Sequence, residues 1–223
     1  MSAMEFGTGL ALHYAPLLPS AHSLVWARHL VWSVVAAAVG LSFASRFVQY
    51  AAFLRYLPWV LALWAWMPGA WGLGYWLGLA FQIPSLSAAF LALSVLFQAP
   101  AQRMFTVPGS RQGARLWGSA WTLIAVLTGL LLLLDTFAAF DFSIYQWGFT
   151  PLALGLALAL ALLPWVVSGT QGLHQPAVWS LLAALAVFLF TGWPTGNVWD
   201  AVLDPCLWLV AIAYLLRKPR RRA

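Results

Sequence analysis

The chain has 223 residues, of which 63% are hydrophobic and 7% are charged, and its formal net charge is +6. Its mean hydropathy is +0.86. Soluble domains are about 45–50% apolar and about 25% charged, so this composition argues against a water-soluble fold, whose surface would have to be largely contiguous apolar atoms. The basic residues flank apolar segments and form no interleaved basic and aromatic face, so nucleic acid is not an expected partner.

The fold class predicted from these features is all-α, a polytopic transmembrane helical bundle. Only helices and closed barrels satisfy their backbone within hydrocarbon, and barrel strands alternate apolar and polar residues. Here the long runs are apolar on every face, as in "PLALGLALALALLPWVV". Residues 1–223 are expected to form one integral membrane domain, with a short non-cytoplasmic segment (1–22) and a basic cytoplasmic tail (217–223). The single cysteine excludes an internal disulfide.

Seven spans of about 20 mostly apolar residues are predicted in chain order. They cover residues 24–45, 50–67, 71–98, 116–137, 147–168, 176–192 and 201–216. The third span contains Pro84 and is expected to be kinked there, because proline removes a helix hydrogen bond. The seventh span is short.

The basic residues predict the orientation of these spans. With seven spans, one side of the membrane receives Arg46, Arg55, Arg103, Arg111, Arg115 and the basic tail. The positive-inside rule makes that side cytoplasmic and places the N-terminus outside. The expected location is therefore the inner (plasma) membrane. Arg28 is the exception, and it can extend to the interface near the outer end of the first span.

Acidic residues are rare, and most of them fall near the predicted outer surface. Asp200 and Asp204 begin the last span, where both suit the helix dipole. Asp200 is expected to help cap the helix and Asp204 to lie in its first turn beside Pro205. A second hypothesis groups five residues into an oxygen-rich site that binds a cation or relays protons, because carboxylates at membrane depth are costly and often functional. These residues are Asp135, Asp141, Asn197, Asp200 and Asp204.

Polar residues and small residues inside the spans supply further candidates. Gln82, Ser85 and Ser87 surround the Pro84 break, where polar groups can line a pathway or satisfy the freed backbone. Arg55 is the other intramembrane candidate, expected to reach the interface or to pair with a polar group. Gly74 and Gly78 have the GxxxG spacing that permits close helix packing.

No metal site and no cofactor is predicted. His29 is a weak haem candidate, because a b-type haem usually needs a second histidine facing it. A lipid tail, quinone or pigment could bind near Trp64, Trp66 and Trp76, although an aromatic belt together with packing is the favoured explanation for these residues. The only lysine, Lys218, lies beyond the last span, which excludes a retinal Schiff base. No catalytic motif occurs, so an enzyme is not the favoured interpretation.

The favoured function is an accessory or scaffold subunit of a membrane complex that acts through its helix faces. The expected partners are membrane lipids and other membrane protein subunits. One alternative is a transport subunit, or one that conducts ions or protons, with its site between the third and seventh helices. Another is an anchor that binds a quinone, haem or pigment.

Overall fold

The protein is all-α, as predicted. A computed structural model describes residues 18–104, 119–168 and 176–216, and these contain ten α-helices and no strand. The helices are α1 (Ala21–Ala44), α2 (Ala51–Trp66), α3 (Leu73–Phe81), α4 (Leu86–Met104), α5 (Ser119–Thr136), α6 (Ile144–Trp147), α7 (Pro151–Ser168), α8 (Pro176–Thr191), α9 (Val198–Val202) and α10 (Pro205–Leu216). A 3-10 turn, Gly69–Trp71, precedes α3. Glu5, Arg111, Arg115, His13, His174 and the tail 217–223 lie outside the described residues.

Helix length separates α1 from the other apolar helices. Within the described ranges, only α1, with 24 residues and a mean hydropathy of 1.6, has the length and composition to cross a membrane. The other apolar stretches there contain 10–17 residues. These stretches fall inside the predicted spans, but they are shorter than the spans expected from the sequence.

Helices α4 and α8 occupy the centre of the bundle. Helix α4 packs against α1, α8 and α9, while α8 also contacts α7 and α9. The hairpin of α1 and α2 packs on one side, and α5 packs against α10 on the other. One buried cluster joins Val31 of α1 to Leu86 of α4 and Ala184 of α8. The small alanine side chains on these helices allow the close approach.

The third predicted span is two separate helices, so the expected single kinked helix is wrong. Helix α3 ends before Gln82, which has a positive φ of 60°, and α4 begins at Leu86. Proline has no N–H and disfavours helical conformation in the residue before it, so Pro84 separates the two helices. Ser85 then caps α4, since its Oγ accepts a hydrogen bond from the Ala88 N–H at 3.2 Å.

The seventh predicted span is also divided, into α9 and α10. Leu203 and Asp204 separate the two helices, and Leu203 is extended with φ −143° and ψ 124°. Asp204 caps α10, because its Oδ1 accepts a hydrogen bond from the Leu207 N–H at 2.9 Å. Pro205 occupies the first helical position, where its missing N–H costs nothing. Asp204 therefore begins a new helix and does not lie in the first turn of a helix shared with Asp200.

The GxxxG glycines lie where α3 meets its neighbours. A Cβ on Gly74 would lie 2.5 Å from the Ala65 carbonyl oxygen of α2, and one on Gly78 would lie 2.6 Å from the Arg28 side chain of α1. A backbone carbonyl cannot move aside, whereas the flexible arginine stem can.

We expect Gly74→Leu to destabilise the fold by at least about 3 kcal/mol, near the upper end for overpacking, and Gly78→Leu by less. Thermal unfolding in detergent measures both variants, with Ala92→Leu on α4 as the reference. Equal melting temperatures for all three variants would contradict close packing at these glycines.

Candidate functional site

Three carboxylates lie at helix ends that gather at one end of the bundle. Asp135 is in the last turn of α5, Asp200 is in the first turn of α9, and Asp204 precedes α10. Each one accepts hydrogen bonds from another part of the chain. We call Asp135, Asp200, Asp204 and the residues that donate to them the carboxylate network.

Asp204 connects α4 and α10, the helices that follow the breaks in the third and seventh predicted spans. Its Oδ2 accepts hydrogen bonds from the Ser85 N–H at 2.9 Å and from the Ser85 hydroxyl at 2.7 Å. Its Oδ1 accepts from the Leu207 N–H, as described above. Ser85 is fully buried, so its N–H has no access to water. One carboxylate thus joins the start of α4 to the start of α10 and satisfies donors at both.

Asp135 holds the short helix α6 against the end of α5. Its carboxylate accepts hydrogen bonds from the Ile144 N–H at 3.0 Å, the Tyr145 N–H at 2.8 Å and the Ser143 hydroxyl at 3.0 Å. These N–H groups belong to the first turn of α6, which has no partners for them within the helix. Asp135 therefore acts across a loop in the way that a capping residue acts locally.

Asp200 binds side-chain donors rather than backbone groups. The Tyr145 hydroxyl donates to Asp200 Oδ2 at 2.7 Å, and the Thr195 hydroxyl donates to the same oxygen at 2.5 Å. Tyr145 therefore connects two of the acids, because its N–H donates to Asp135 and its hydroxyl to Asp200. The hydrogen bonds of Asp204 described above involve neither Asp135 nor Asp200.

The Tyr145 phenol is held in its neutral form by this arrangement. Partial burial is the largest cause and the hydrogen bond to Asp200 the second, and together with the Asp200 charge they raise the pKa of Tyr145 from 10.0 to about 12. A phenolate at this position would lose its hydration and face a carboxylate.

This shift predicts a loss of stability at alkaline pH. A raised pKa in the folded state stabilises the protein fully below pH 10, and that contribution is lost as the pH rises through 12. The free energy of unfolding should therefore decrease between pH 10 and 12 by more in the unsubstituted chain than in Tyr145→Phe. Unfolding in detergent at a series of pH values measures the difference. Parallel curves for the two proteins would contradict a raised Tyr145 pKa.

Asn197 holds the loop between α8 and α9 against α6. It is fully buried, its amide donates to the Tyr145 carbonyl at 2.9 Å, and its Oδ1 accepts from the Trp199 N–H at 2.9 Å. The Trp199 indole donates to the Ile144 carbonyl at 3.0 Å, and the Val198 N–H donates to the Gly148 carbonyl at 2.9 Å. These bonds join α6 to α9. The "TGWPTGN" loop that carries Asn197 contains a cis Trp193–Pro194 bond.

The other predicted candidates lie apart from this network. Gln82 contributes its backbone carbonyl, which accepts a hydrogen bond from the Trp32 indole at 2.7 Å, and its side chain is exposed. Arg55 is exposed in the second turn of α2. His29 Nδ1 lies 3.1 Å from the Ala65 carbonyl oxygen, and its ring packs on Trp66. Gly74 and Gly78 serve the packing of α3.

Sequence reasoning missed Ser85, Tyr145 and Gly148 as members or supports of the network. Ser85 was noted only as a residue near the break, although a serine directly after Pro84 and before an apolar run is a capping signal. Tyr145 and Gly148 give no comparable local signal, because their partners lie about 50 residues away along the chain.

The chemistry available to the network is hydrogen bonding by carboxylates whose oxygens are already largely occupied. An ionised carboxylate has about four acceptor positions, and Asp135 and Asp204 each use three for donors of this chain. Among the described ranges, no three His, Cys, Asp or Glu residues are grouped as a metal ion would require.

Comparisons with known proteins give no relative. No protein-family model, no curated protein and no solved structure matches the chain.

Proposed function

We propose that the chain is an integral membrane protein with seven crossings and that it serves as an accessory or scaffold subunit, binding other membrane proteins through its helix faces. The main support for this proposal is the apolar surface of the bundle. Large apolar side chains are exposed on every long helix, and they include Val39, Phe43, Leu63, Leu152, Val166 and Phe190. Soluble monomers rarely expose contiguous apolar surface of this extent, whereas lipid and membrane-protein partners cover it at no cost.

The crossings in this proposal combine short helices with the segments beside them. Helices α3 and α4 together form the third crossing, and α9 and α10 form the seventh. A helix of 16 residues such as α2 is about 24 Å long, compared with about 30 Å of hydrocarbon. Flanking aromatic residues and local thinning of the bilayer accommodate a difference of this size.

Charge supports the proposed orientation. Asp135, Asp200 and Asp204 lie at one end of the bundle, while Arg46 follows α1 and Arg55 is near the start of α2, at the other end. The basic end would face the cytoplasm under the positive-inside rule. The N-terminus would then be outside and the C-terminus inside.

A scaffold is favoured over a conducting subunit because of how the acids are used. A cation or proton pathway needs carboxylates that can exchange partners. Here Asp135 and Asp204 accept hydrogen bonds that fix helix ends, and Asp200 accepts from two hydroxyl groups. The helix faces are then the surface left for function.

One contact nevertheless favours the alternative of a transport subunit. The breaks in the proposed third and seventh crossings meet where Ser85 donates to Asp204, and discontinuous helices form the binding sites of many transporters. A liposome assay separates the two functions. We expect no proton or cation flux through the reconstituted protein, and flux that Asp204→Asn abolishes would establish the alternative.

Photocrosslinking in native membranes tests the scaffold directly. A photoreactive amino acid is placed in turn at Val39, Leu63 and Val166, which are exposed on α1, α2 and α7, and at buried Ala157 as the control. We expect crosslinks to other proteins from one of the exposed faces and none from Ala157. Crosslinks to lipid alone at every exposed position would overturn the proposal.

A further inference from the structure

An apolar cavity lies between α5 and α10 on one side and α4, α7 and α8 on the other. Its walls include Ser87 of α4, Trp121 of α5, Ala157 of α7 and Leu203 beside α9. The volume of the cavity is about 70 Å³. One water needs about 10–15 Å³ on this measure, so the cavity has room for a guest of several heavy atoms. It is open on one side, and almost all of its lining is apolar.

Two residues that line the cavity contain a buried hydrogen-bonding group without a partner among the described residues. The Trp121 Nε1 and the Ser87 Oγ make no hydrogen bond within the described part of the chain, and their residues are 6% and 4% exposed. A buried donor without an acceptor is costly, and native proteins rarely leave one unexplained. The serine hydroxyl can turn toward a carbonyl one helical turn earlier, but an indole N–H has no such choice. Trp121 therefore needs an acceptor from outside its own helix.

The residues that line the cavity are spread along the length of the bundle. Helix α4 begins, and α5 ends, at the end that carries the carboxylate network, so these two helices run in opposite directions. Ser87 is in the first turn of α4, close to that end. Trp121 lies 14 residues before Asp135, which is about 21 Å along α5. The cavity thus extends from near the network toward the opposite end of the bundle, a shape that suits a chain rather than a compact molecule.

We propose that this cavity binds the hydrocarbon chain of a small amphiphile whose carbonyl or carboxyl oxygen accepts a hydrogen bond from Trp121 Nε1. Ser87 lies along the hydrocarbon chain, away from the oxygen that Trp121 binds. A free fatty acid and a prenylated quinone both have this chemistry. None of Asp135, Asp200 and Asp204 lines the cavity, so this binding site does not depend on the scaffold function.

Saturable binding of radiolabelled oleic acid and of decylubiquinone to the full chain in detergent micelles tests this site. We expect one of the two probes to bind at about one molecule per protein, which identifies the source of the ligand. Removing the indole donor in Trp121→Phe should weaken binding at least about tenfold, the equivalent of one lost hydrogen bond of 1.4 kcal/mol. Ser87→Ala should weaken binding less and should leave the melting temperature of the ligand-free protein unchanged or higher, because it removes an unpaired polar group.

A matched pair of alanine substitutions on α7 controls for side-chain size. Ala157→Leu fills the cavity and should abolish binding, whereas Ala159→Leu adds the same atoms at an exposed position and should bind as the unsubstituted chain does. If Ala157→Leu does not fold, Trp121→Phe decides the question. The proposal is overturned if neither probe binds saturably, or if a folded Ala157→Leu or Trp121→Phe protein binds with unchanged affinity.

Discussion

Asp204→Ala is expected to lower the free energy of unfolding by at least about 3 kcal/mol, because three donors lose their acceptor at once. The Ser85 N–H and hydroxyl are buried and cannot turn to water, and the Leu207 N–H loses its helix cap. The starts of α4 and α10 would both be left without this acceptor. Reversible unfolding in mixed micelles, followed by circular dichroism, measures the loss.

Two other substitutions separate capping from a need for charge. Asp204→Asn keeps one acceptor oxygen and should cost less than Asp204→Ala, since asparagine caps helices nearly as well as aspartate. Asp141→Ala removes an exposed acid outside the network and should change stability by less than about 0.5 kcal/mol. If Asp204→Ala is as stable as Asp141→Ala, Asp204 does not hold α4 and α10 together.

Gly148→Ala is expected to destabilise the fold strongly, although it adds only one methyl group. The new Cβ would overlap the Asn197 side-chain oxygen and crowd the Trp199 ring. Neither side chain can move without breaking its bond to Tyr145 or Ile144. Overpacking a rigid site typically costs about 1–3 kcal/mol, and we expect the upper end or more because buried hydrogen bonds are lost as well.

Gly155→Ala is the matched control for that substitution. Gly155 lies inside α7, and a Cβ there would have no neighbour within 4 Å. Alanine should stabilise α7 by about 0.5–1 kcal/mol, because glycine is a poor helix former. Melting temperatures that change in the same direction for Gly148→Ala and Gly155→Ala would contradict the tight contact between α6 and α9.

The helical class and the order of the helices could be predicted because long apolar runs and turn residues are local signals. The division of the third and seventh predicted spans into two helices each could not be predicted in the same way. A proline inside an apolar run is compatible with a kink or with a complete break. At the break, the Trp32 indole donates to the Gln82 carbonyl from 50 residues away, and sequence spacing does not reveal such a partner.

For the carboxylates, too, the sequence indicated which residues to consider but not their partners. The rarity of acids drew attention to Asp135, Asp200 and Asp204, and the last of these was expected near a helix start. Their partners were not predictable, because Ser85 lies 119 residues from Asp204 and Tyr145 lies 55 residues from Asp200. Composition therefore identified the residues, while the packing of α4, α6, α9 and α10 determines what each one binds.

The membrane topology is tested most directly by cysteine labelling in intact cells. Cys206 is the single native cysteine, so a Cys206→Ser background allows one new thiol to be placed at a time. With a membrane-impermeant maleimide, Asp141→Cys should be labelled in intact cells, and Arg46→Cys should be labelled only after the membrane is permeabilised. Labelling of Arg46→Cys in intact cells, or protection of Asp141→Cys, would contradict the proposed seven crossings and their orientation.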